Sequence, residues 1–142
     1  MVNVYETNGS YVLSFGEGKL KNATDITAGT DGQVIILDNL MHDTCLYVFS
    51  EDGYQHKNIS IPNVIASLRE AHHVAWHASG EYFVVAGDGE VSDQSAVLMY
   101  DKDGEWKRTV HVEGNVSGIT VSKEGYIAAV IHLANTADVI VF

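Results

Sequence analysis

The stretch that decides the fold reads LYVFSEDG at residues 46–53, four apolar residues that end in an aromatic ring, followed by a turn that closes on Asp-Gly. An Asp-Gly or Asn-Gly pair next to alternating apolar residues is the strongest short-range indication of a β-hairpin. The same unit recurs as VNVYETNG at 2–9, as VLMYDKDG at 97–104 and, without its turn, as VIVF at 139–142. The chain therefore carries an internal repeat.

A second repeated unit lies between these stretches and has the pattern of strand, turn and strand. It occurs at residues 25–37, 73–85 and 118–130, each time with one central turn glycine. Successive turn glycines are 48 and 45 residues apart, so the repeat period is about 45 residues. Four short strands in such a period are typical of a β-propeller blade.

We therefore predict an all-β fold, a β-propeller of four-stranded antiparallel blades with about three blades per chain. The strands of a blade are called a, b, c and d, with d outermost. Residues 63–70, which follow the only proline, are predicted to form a loop with one helical turn. The predicted units are strands c and d at 1–16, one blade at 17–61, a second blade at 62–112, and strands a, b and c at 113–142.

Three blades are too few to close a ring, because propellers have about four to eight. Exposed blade faces and unpaired strand edges promote association. We therefore expect a homodimer that forms a six-bladed ring, in which residues 10–15 of each copy complete the last blade of the other. A piece of a longer chain with another assembly is the alternative. The predicted self-association residues are Tyr11, Val12, Leu13, Phe15, Val139, Ile140, Val141 and Phe142.

Composition and charge narrow the classes of function. The 142 residues are 46% hydrophobic and 19% charged, as in a folded domain, and no apolar run approaches the roughly 20 residues that span a bilayer. Nineteen Asp and Glu against eight Lys and Arg give a formal net charge of -11, which disfavours nucleic acid and anionic lipid as partners. A single cysteine, Cys45, and an N-terminus without a secretory pattern predict a cytoplasmic protein without membrane attachment.

The repeats resemble those of the NHL family, in which two apolar strands flank an Asp/Glu-Gly turn and a later Val-Phe strand leads to Asp-Gly. Residues 25–38 with 46–53 match one such repeat, and residues 118–130 with 139–142 match another. The resemblance implies a six-bladed ring similar to the C-terminal NHL domain of tripartite-motif ubiquitin ligases, which recruits substrates or partners. Any ligase chemistry would lie in domains absent from these residues. A more divergent third repeat covers 73–88 with 97–104.

No catalytic, cofactor-binding or metal-binding residues are predicted. The seven histidines occupy unequal positions in the three repeats, whereas a channel metal needs ligands at equal positions in different blades. Some NHL propellers bind RNA, but the basic residues here are scattered, so RNA binding is less favoured. The alternative from another functional class is a six-bladed hydrolase or lyase with a metal site at the central channel.

The loops that join strand d to the next strand a, and strand b to strand c, form one rim of a propeller, its usual binding face. In this chain they are acidic and rich in His and Asn, which suits a protein or peptide partner with basic residues. We therefore predict a non-enzymatic interaction scaffold. Its predicted partner-binding residues are Asp38, Asn39, His42, Asp43, His72, His73, Asp88, Glu90, Asp93, Asn115, His132 and Asn135.

Overall fold

The computed structural model describes residues 1–40, 43–62 and 68–142. Within these ranges the chain forms thirteen β-strands and no helix. The strands, numbered in chain order, are β1 (Val2–Tyr5), β2 (Tyr11–Phe15), β3 (Ala23–Ala28), β4 (Val34–Asn39), β5 (Asp43–Phe49), β6 (Gln55–Pro62), β7 (Leu68–Trp76), β8 (Tyr82–Gly89), β9 (Gln94–Asp101), β10 (Trp106–Glu113), β11 (Asn115–Val121), β12 (Ile127–His132) and β13 (Ala137–Val141).

The strands form four antiparallel sheets that follow chain order. The first blade contains β3 to β6 and the second contains β7 to β10, whereas β11 to β13 make a three-stranded sheet and β1 pairs with β2. β7, the innermost strand of the second blade, contacts both β3 and β11. This arrangement confirms the predicted all-β fold of meandering blades, a partial β-propeller.

Apolar side chains fill the space between neighbouring sheets because successive residues of a strand point to opposite faces. In β5, Leu46 and Val48 belong to the core shared with the second blade, whereas Tyr47 and Phe49 pack toward the β1–β2 hairpin. Full burial of a side chain of this size contributes about 1.5–3 kcal/mol. The first blade is therefore stabilised from both sides by its neighbours.

The turn after β5 requires a glycine for two reasons. Gly53 has a φ of 83°, in the left-handed region, and a Cβ there would lie only 2.7 Å from the Cβ of Phe15. This close approach lets the ring of Phe15 pack on that of Phe49, with 4.9 Å between the ring centroids. The Asp-Gly turn thus reverses the chain and also admits the contact with the hairpin.

Each innermost strand has a β-bulge near its start. The register shifts leave Thr24 in β3, His72 in β7 and Ser117 in β11 as extra residues, and β7 has a second bulge at Arg69. A bulge redirects the side chain of the extra residue and is common beside functional sites. The side chains of β7 therefore depart from simple alternation where the strand begins.

β7 also begins earlier than the sequence pattern predicts. The prediction of a loop at residues 63–70 is wrong for Leu68–Glu70, which belong to β7, while residues 63–67 lie outside the described residues. Leu68 is buried in the core and is paired with Gly89. The two bulges interrupt the alternation of apolar and polar residues by which a strand is recognised in a sequence.

Gly87 in β8 is the position where the bulged strand approaches most closely. A Cβ on Gly87 would overlap the carbonyl oxygen of Glu70 and lie 2.7 Å from the Cα of Ala71. We expect Gly87→Ala to lower the free energy of unfolding by about 1–3 kcal/mol, measured by urea denaturation. Gly118→Ala is the control, because a Cβ there meets no atom within 4 Å, and its effect should stay within about 1 kcal/mol or be stabilising. Equal losses in both variants would contradict the importance of this close approach.

Candidate functional site

A cleft opens on the rim between the second blade and the three-stranded sheet. It has a volume of about 560 Å³ and is formed by residues 92–94, 113–115 and 132–134. These segments lie at b-to-c and d-to-a connections, the two loop classes predicted to form the binding face. Three of the predicted partner-binding residues line the cleft, namely Asp93, Asn115 and His132.

Hydrogen bonds of buried groups join the walls of the cleft. The hydroxyl of Ser95, fully buried, donates to the carbonyl oxygen of Gly114 at 2.8 Å and accepts from the N–H of Val116 at 3.1 Å. The N–H of Gly114 in turn donates to the carbonyl oxygen of Asp93 at 2.8 Å. These hydrogen bonds therefore fix the b-to-c loop of the second blade to the start of β11.

The cleft is acidic. Asp93 and Glu113 are exposed on its walls, and no Lys or Arg occurs among its described lining residues. Asn115 and His132 add hydrogen-bonding groups, and Leu133, 41% exposed, adds an apolar contact. This combination fits a side chain with an apolar stem and a cationic head, such as Lys or Arg.

A second polar cluster lies where β7 begins and β8 ends. The Oδ2 atom of Asp88 is 3.1 Å from Nη2 of Arg69 and 3.3 Å from Nε2 of His72. The ligand atoms of Glu70, His72 and Asp88 all lie within 4.8 Å of one another. The extra residues of both bulges in β7 thus contact the same carboxylate.

The pKa of Asp88 reflects these contacts. Burial alone would raise the pKa, but the hydrogen bonds from His72 and Arg69 outweigh burial and hold the pKa below its usual value. One imidazole and two carboxylates are donors that Zn²⁺ or Mn²⁺ accepts. However, the guanidinium of Arg69 already balances the charge of Asp88, so a cation at this cluster would compete with Arg69.

Asp25 links the innermost strands of the first and second blades. Its Oδ2 atom accepts a hydrogen bond from the N–H of Val74 at 2.8 Å and lies 3.8 Å from Nδ1 of His73. The neighbouring residues His72 and His73 therefore contact different carboxylates, one within the blade and one across the blade boundary.

The remaining predicted rim residues are not gathered into one site. Asp38 is fully buried and accepts hydrogen bonds from the N–H groups of Lys21 at 3.0 Å and Asn22 at 2.5 Å, which makes it a structural residue and not a rim contact. Asn39 donates its side-chain amide to the carbonyl oxygen of Ala71. His42 lies outside the described residues, and the exposed members are Asp43, Glu90 and Asn135.

Sequence reasoning missed Arg69, Glu70 and Glu113 as site residues. Arg69 and Glu70 fall in the predicted loop at 63–70, and Glu113 falls at the boundary between the predicted second blade at 62–112 and the unit at 113–142. One signal was present, because Gly87 interrupts an otherwise apolar strand, and an isolated glycine in a strand indicates a bulge or a close backbone approach. The glycine indicates that β8 is approached closely by a neighbouring strand, but it does not indicate which side chains of β7 come together there.

Two further observations concern other functional classes. Cys45 is buried, and burial raises the pKa of its thiol. Within the part of the chain that the structure describes, no helix is long and apolar enough to cross a membrane.

Comparison with known proteins identifies the fold. No protein-family model and no curated protein matches the chain. A gluconolactonase from Xanthomonas campestris is similar in structure, with a TM-score of 0.63 and 14% identity over 99% of this chain and 50% of that one. A protein of unknown function from Bacteroides caccae gives a TM-score of 0.52 and 18% identity over 83% of this chain and 41% of that one. The chain thus has a β-propeller fold and spans about half the length of the structures it matches, or less.

Arg69→Gln tests the ion pair at the start of β7. Because one hydrogen bond to the carboxylate is lost, we expect the pKa of Asp88 to rise toward its ordinary value, as followed by NMR titration of its carboxyl carbon. A lowered native pKa stabilises the fold above the unfolded-state pKa, and this contribution disappears as the pH falls through the native pKa. The variant should therefore be less stable than the parent at neutral pH, by less than about 1 kcal/mol because Arg69 is exposed, and equally stable in acid below both pKa values.

Arg108→Gln is the matched control, since it removes the same charge from the outer strand β10. It should leave the pKa of Asp88 unchanged. The same rise in both variants would mean that Asp88 senses only the overall charge of the protein.

Proposed function

We propose that this chain is a non-enzymatic protein-interaction module, an NHL-type half-propeller that closes into a ring with a second copy and recruits a basic segment of a protein partner at its rim. The observation that carries the proposal is the acidic cleft formed by residues 92–94, 113–115 and 132–134. The NHL-type assignment rests on the three repeats, two of which have an Asp/Glu-Gly turn between their apolar strands, at 31–32 and 124–125. The ring rests on the β-propeller fold, which closes with about four to eight blades, whereas the described residues form two four-stranded blades, a three-stranded sheet and a hairpin.

The size and charge of the cleft support recognition of a short peptide segment. Ligand pockets commonly have volumes of about 300–1,000 Å³, and a cleft of about 560 Å³ accommodates a few side chains. Asp93 and Glu113 provide two carboxylates for one or two cations, while the net charge of -11 favours encounter with a basic partner. Because the hydrogen bonds of Ser95 already fix the walls, binding needs little ordering of the protein.

The probe for this proposal is an acetylated hexapeptide of alternating Arg and Ala, titrated into the ¹⁵N-labelled chain. We expect amide shifts confined to the three segments of the cleft, and an affinity about tenfold or more lower in the double variant Asp93→Asn, Glu113→Gln, which removes both carboxylates. The same peptide with Glu in place of Arg should not bind.

Asp103→Asn with Glu124→Gln is the matched control, because it makes the same charge change at two exposed hairpin turns outside the cleft. Its affinity for the Arg peptide should equal that of the parent. Equal losses of affinity in the two double variants, or amide shifts spread over the whole surface, would show that the peptide is attracted by net charge alone. Either result would contradict the cleft as the binding site.

A second candidate function is that of a hydrolase or lyase with a metal site near the central channel. It is favoured by the grouping of Glu70, His72 and Asp88 and by the structural likeness to a gluconolactonase. A bound divalent ion would polarise a substrate carbonyl or activate a water molecule. The ion pair between Arg69 and Asp88 is the observation that speaks against it.

Calorimetric titration with Zn²⁺ and with Mn²⁺ separates the two functions. The enzyme candidate predicts one bound ion per chain, loss of binding in Glu70→Gln with His72→Asn, and hydrolysis of gluconolactone that depends on the ion. Glu124→Gln with His111→Asn, at exposed positions elsewhere, is the control and should bind as the parent does. Because the interaction module uses no metal, we expect no such binding.

A further inference from the structure

The three-stranded sheet leaves one edge of β13 open. β13 pairs with β12, and among the described residues no strand covers its other edge. Val139 and Val141 point away from the second blade and are 66% and 61% exposed. Ile140 lies opposite the buried Ala129 and points toward the second blade. β13 therefore presents an unpaired edge together with two exposed valines on one face.

β1 is a strand of the same type in a buried setting. Its Val2 and Val4 have the same spacing as the two exposed valines of β13, and they pack on the apolar cluster that includes Ile36 and Phe49 of the first blade. β1 is held in place by β2, through four residue pairs with a register shift before Tyr5. The surface that suits two valines of a c strand thus already exists at the other end of the molecule.

An open groove lies beside β1 on the face of the first blade. It has a volume of about 350 Å³, and its apolar lining includes Val2, Leu20, Ile26 and Ile36. Ile26 is 54% exposed. In a propeller, strands a and b of the preceding blade would cover this face, but β1 and β2 provide only strands c and d. The groove therefore lies where strands a and b of a blade would pack.

We propose that two copies of the chain close the ring by strand exchange, in which β13 of each copy displaces β1 of the other and pairs with β2. β11 and β12 then lie in the groove as strands a and b, β13 takes the position of strand c, and β2 remains strand d. By the register of the hairpin, Val139 would lie opposite Phe15, Ile140 opposite Ser14 and Val141 opposite Leu13. The strand exchange describes how the dimeric ring of the proposed function would close, and it rests on that proposed function.

The exchange is needed because β1 and β13 are both c strands and a blade has one position for them. β1 is held by fewer contacts than β13, because it has four residue pairs with β2. β13 has five residue pairs with β12, and Phe142 adds two backbone hydrogen bonds with Ile127, at 2.8 and 3.3 Å. Replacement of Val2 and Val4 by Val139 and Val141 keeps the same valine contacts with the first blade. Release of β1 therefore costs few contacts that β13 does not restore.

A second copy of this chain is the occupant that the dimensions favour. The chain aligns over 99% of its length with 50% of the gluconolactonase chain, so two copies together have about the length of that protein. Each copy offers both halves of the junction, the open β13 edge and the groove beside β1, and a twofold axis relates the two junctions.

The test is to lock β1 onto β2. Asn3 and Ser14 are directly opposite in the hairpin, so Asn3→Cys with Ser14→Cys, in a Cys45→Ala background, places two thiols within reach of a disulfide. The reduced protein should have a mass of about 31 kDa by light scattering, twice the 15.5 kDa of one chain. Oxidation should block the exchange and leave a folded particle of 15.5 kDa.

The matched variant is Ser14→Cys with Ile140→Cys in the same background. On oxidation it should form a disulfide between two copies, seen as a covalent dimer in a non-reducing gel. A monomeric parent chain, an oxidised hairpin lock that still dimerises, or a failure of the second pair to cross-link would each overturn the exchange.

Failure of the exchange and failure of rim binding are distinguishable. The acidic cleft lies within residues 92–134 of one copy, so the locked monomer should still bind the Arg peptide. If the locked monomer binds the peptide and the unlocked chain is also monomeric, peptide binding at the cleft is supported and the dimeric ring is contradicted.

Discussion

The structure depends on one constraint: a small twisted sheet with two apolar faces is stable only when a neighbour covers each face. The first blade meets this requirement, with the second blade on one side and the β1–β2 hairpin on the other. The three-stranded sheet meets it on one side only, where it packs on the second blade. Its other face carries exposed valines, and an exposed apolar face of this kind is typical of an interaction surface.

The repeat made the blades predictable, because the same alternation and the same turn glycines recur at a period near 45 residues. The structure follows that pattern even in detail, as in β5, whose four apolar residues divide between two cores. The start of β7 was not predictable in the same way. Two bulges there add residues out of phase, and a pattern of period two cannot indicate which of Arg69, Glu70 and His72 meet.

The candidate sites show the same division between local pattern and tertiary contact. That the rim is acidic could be predicted from loop composition, and Asp93, Asn115 and His132 were identified in this way. The prediction of Asp38 as a rim contact is wrong, because an acidic residue at a strand end is normally exposed, whereas Asp38 is buried and accepts hydrogen bonds from backbone N–H groups of the preceding connection. Only the folded chain shows which carboxylates stabilise the fold and which remain exposed on the rim.

Charged side chains are unevenly distributed between the two strands β10 and β13. β10 has the charged side chains typical of an edge that faces water, whereas β13 has almost none. The outer strand β10 carries Lys107, Arg108 and Glu113, and charged side chains of this kind oppose pairing with another chain. β13 has a single charged residue, Asp138, and otherwise presents Ala, Val and Ile. Because two copies bring together formal charges of -11 each, their approach is opposed by repulsion, which apolar contacts have to offset. With one charged residue among its five, β13 is better suited to such a contact than the acidic rim, which agrees with the proposed pairing of two copies at the open end of the sheet.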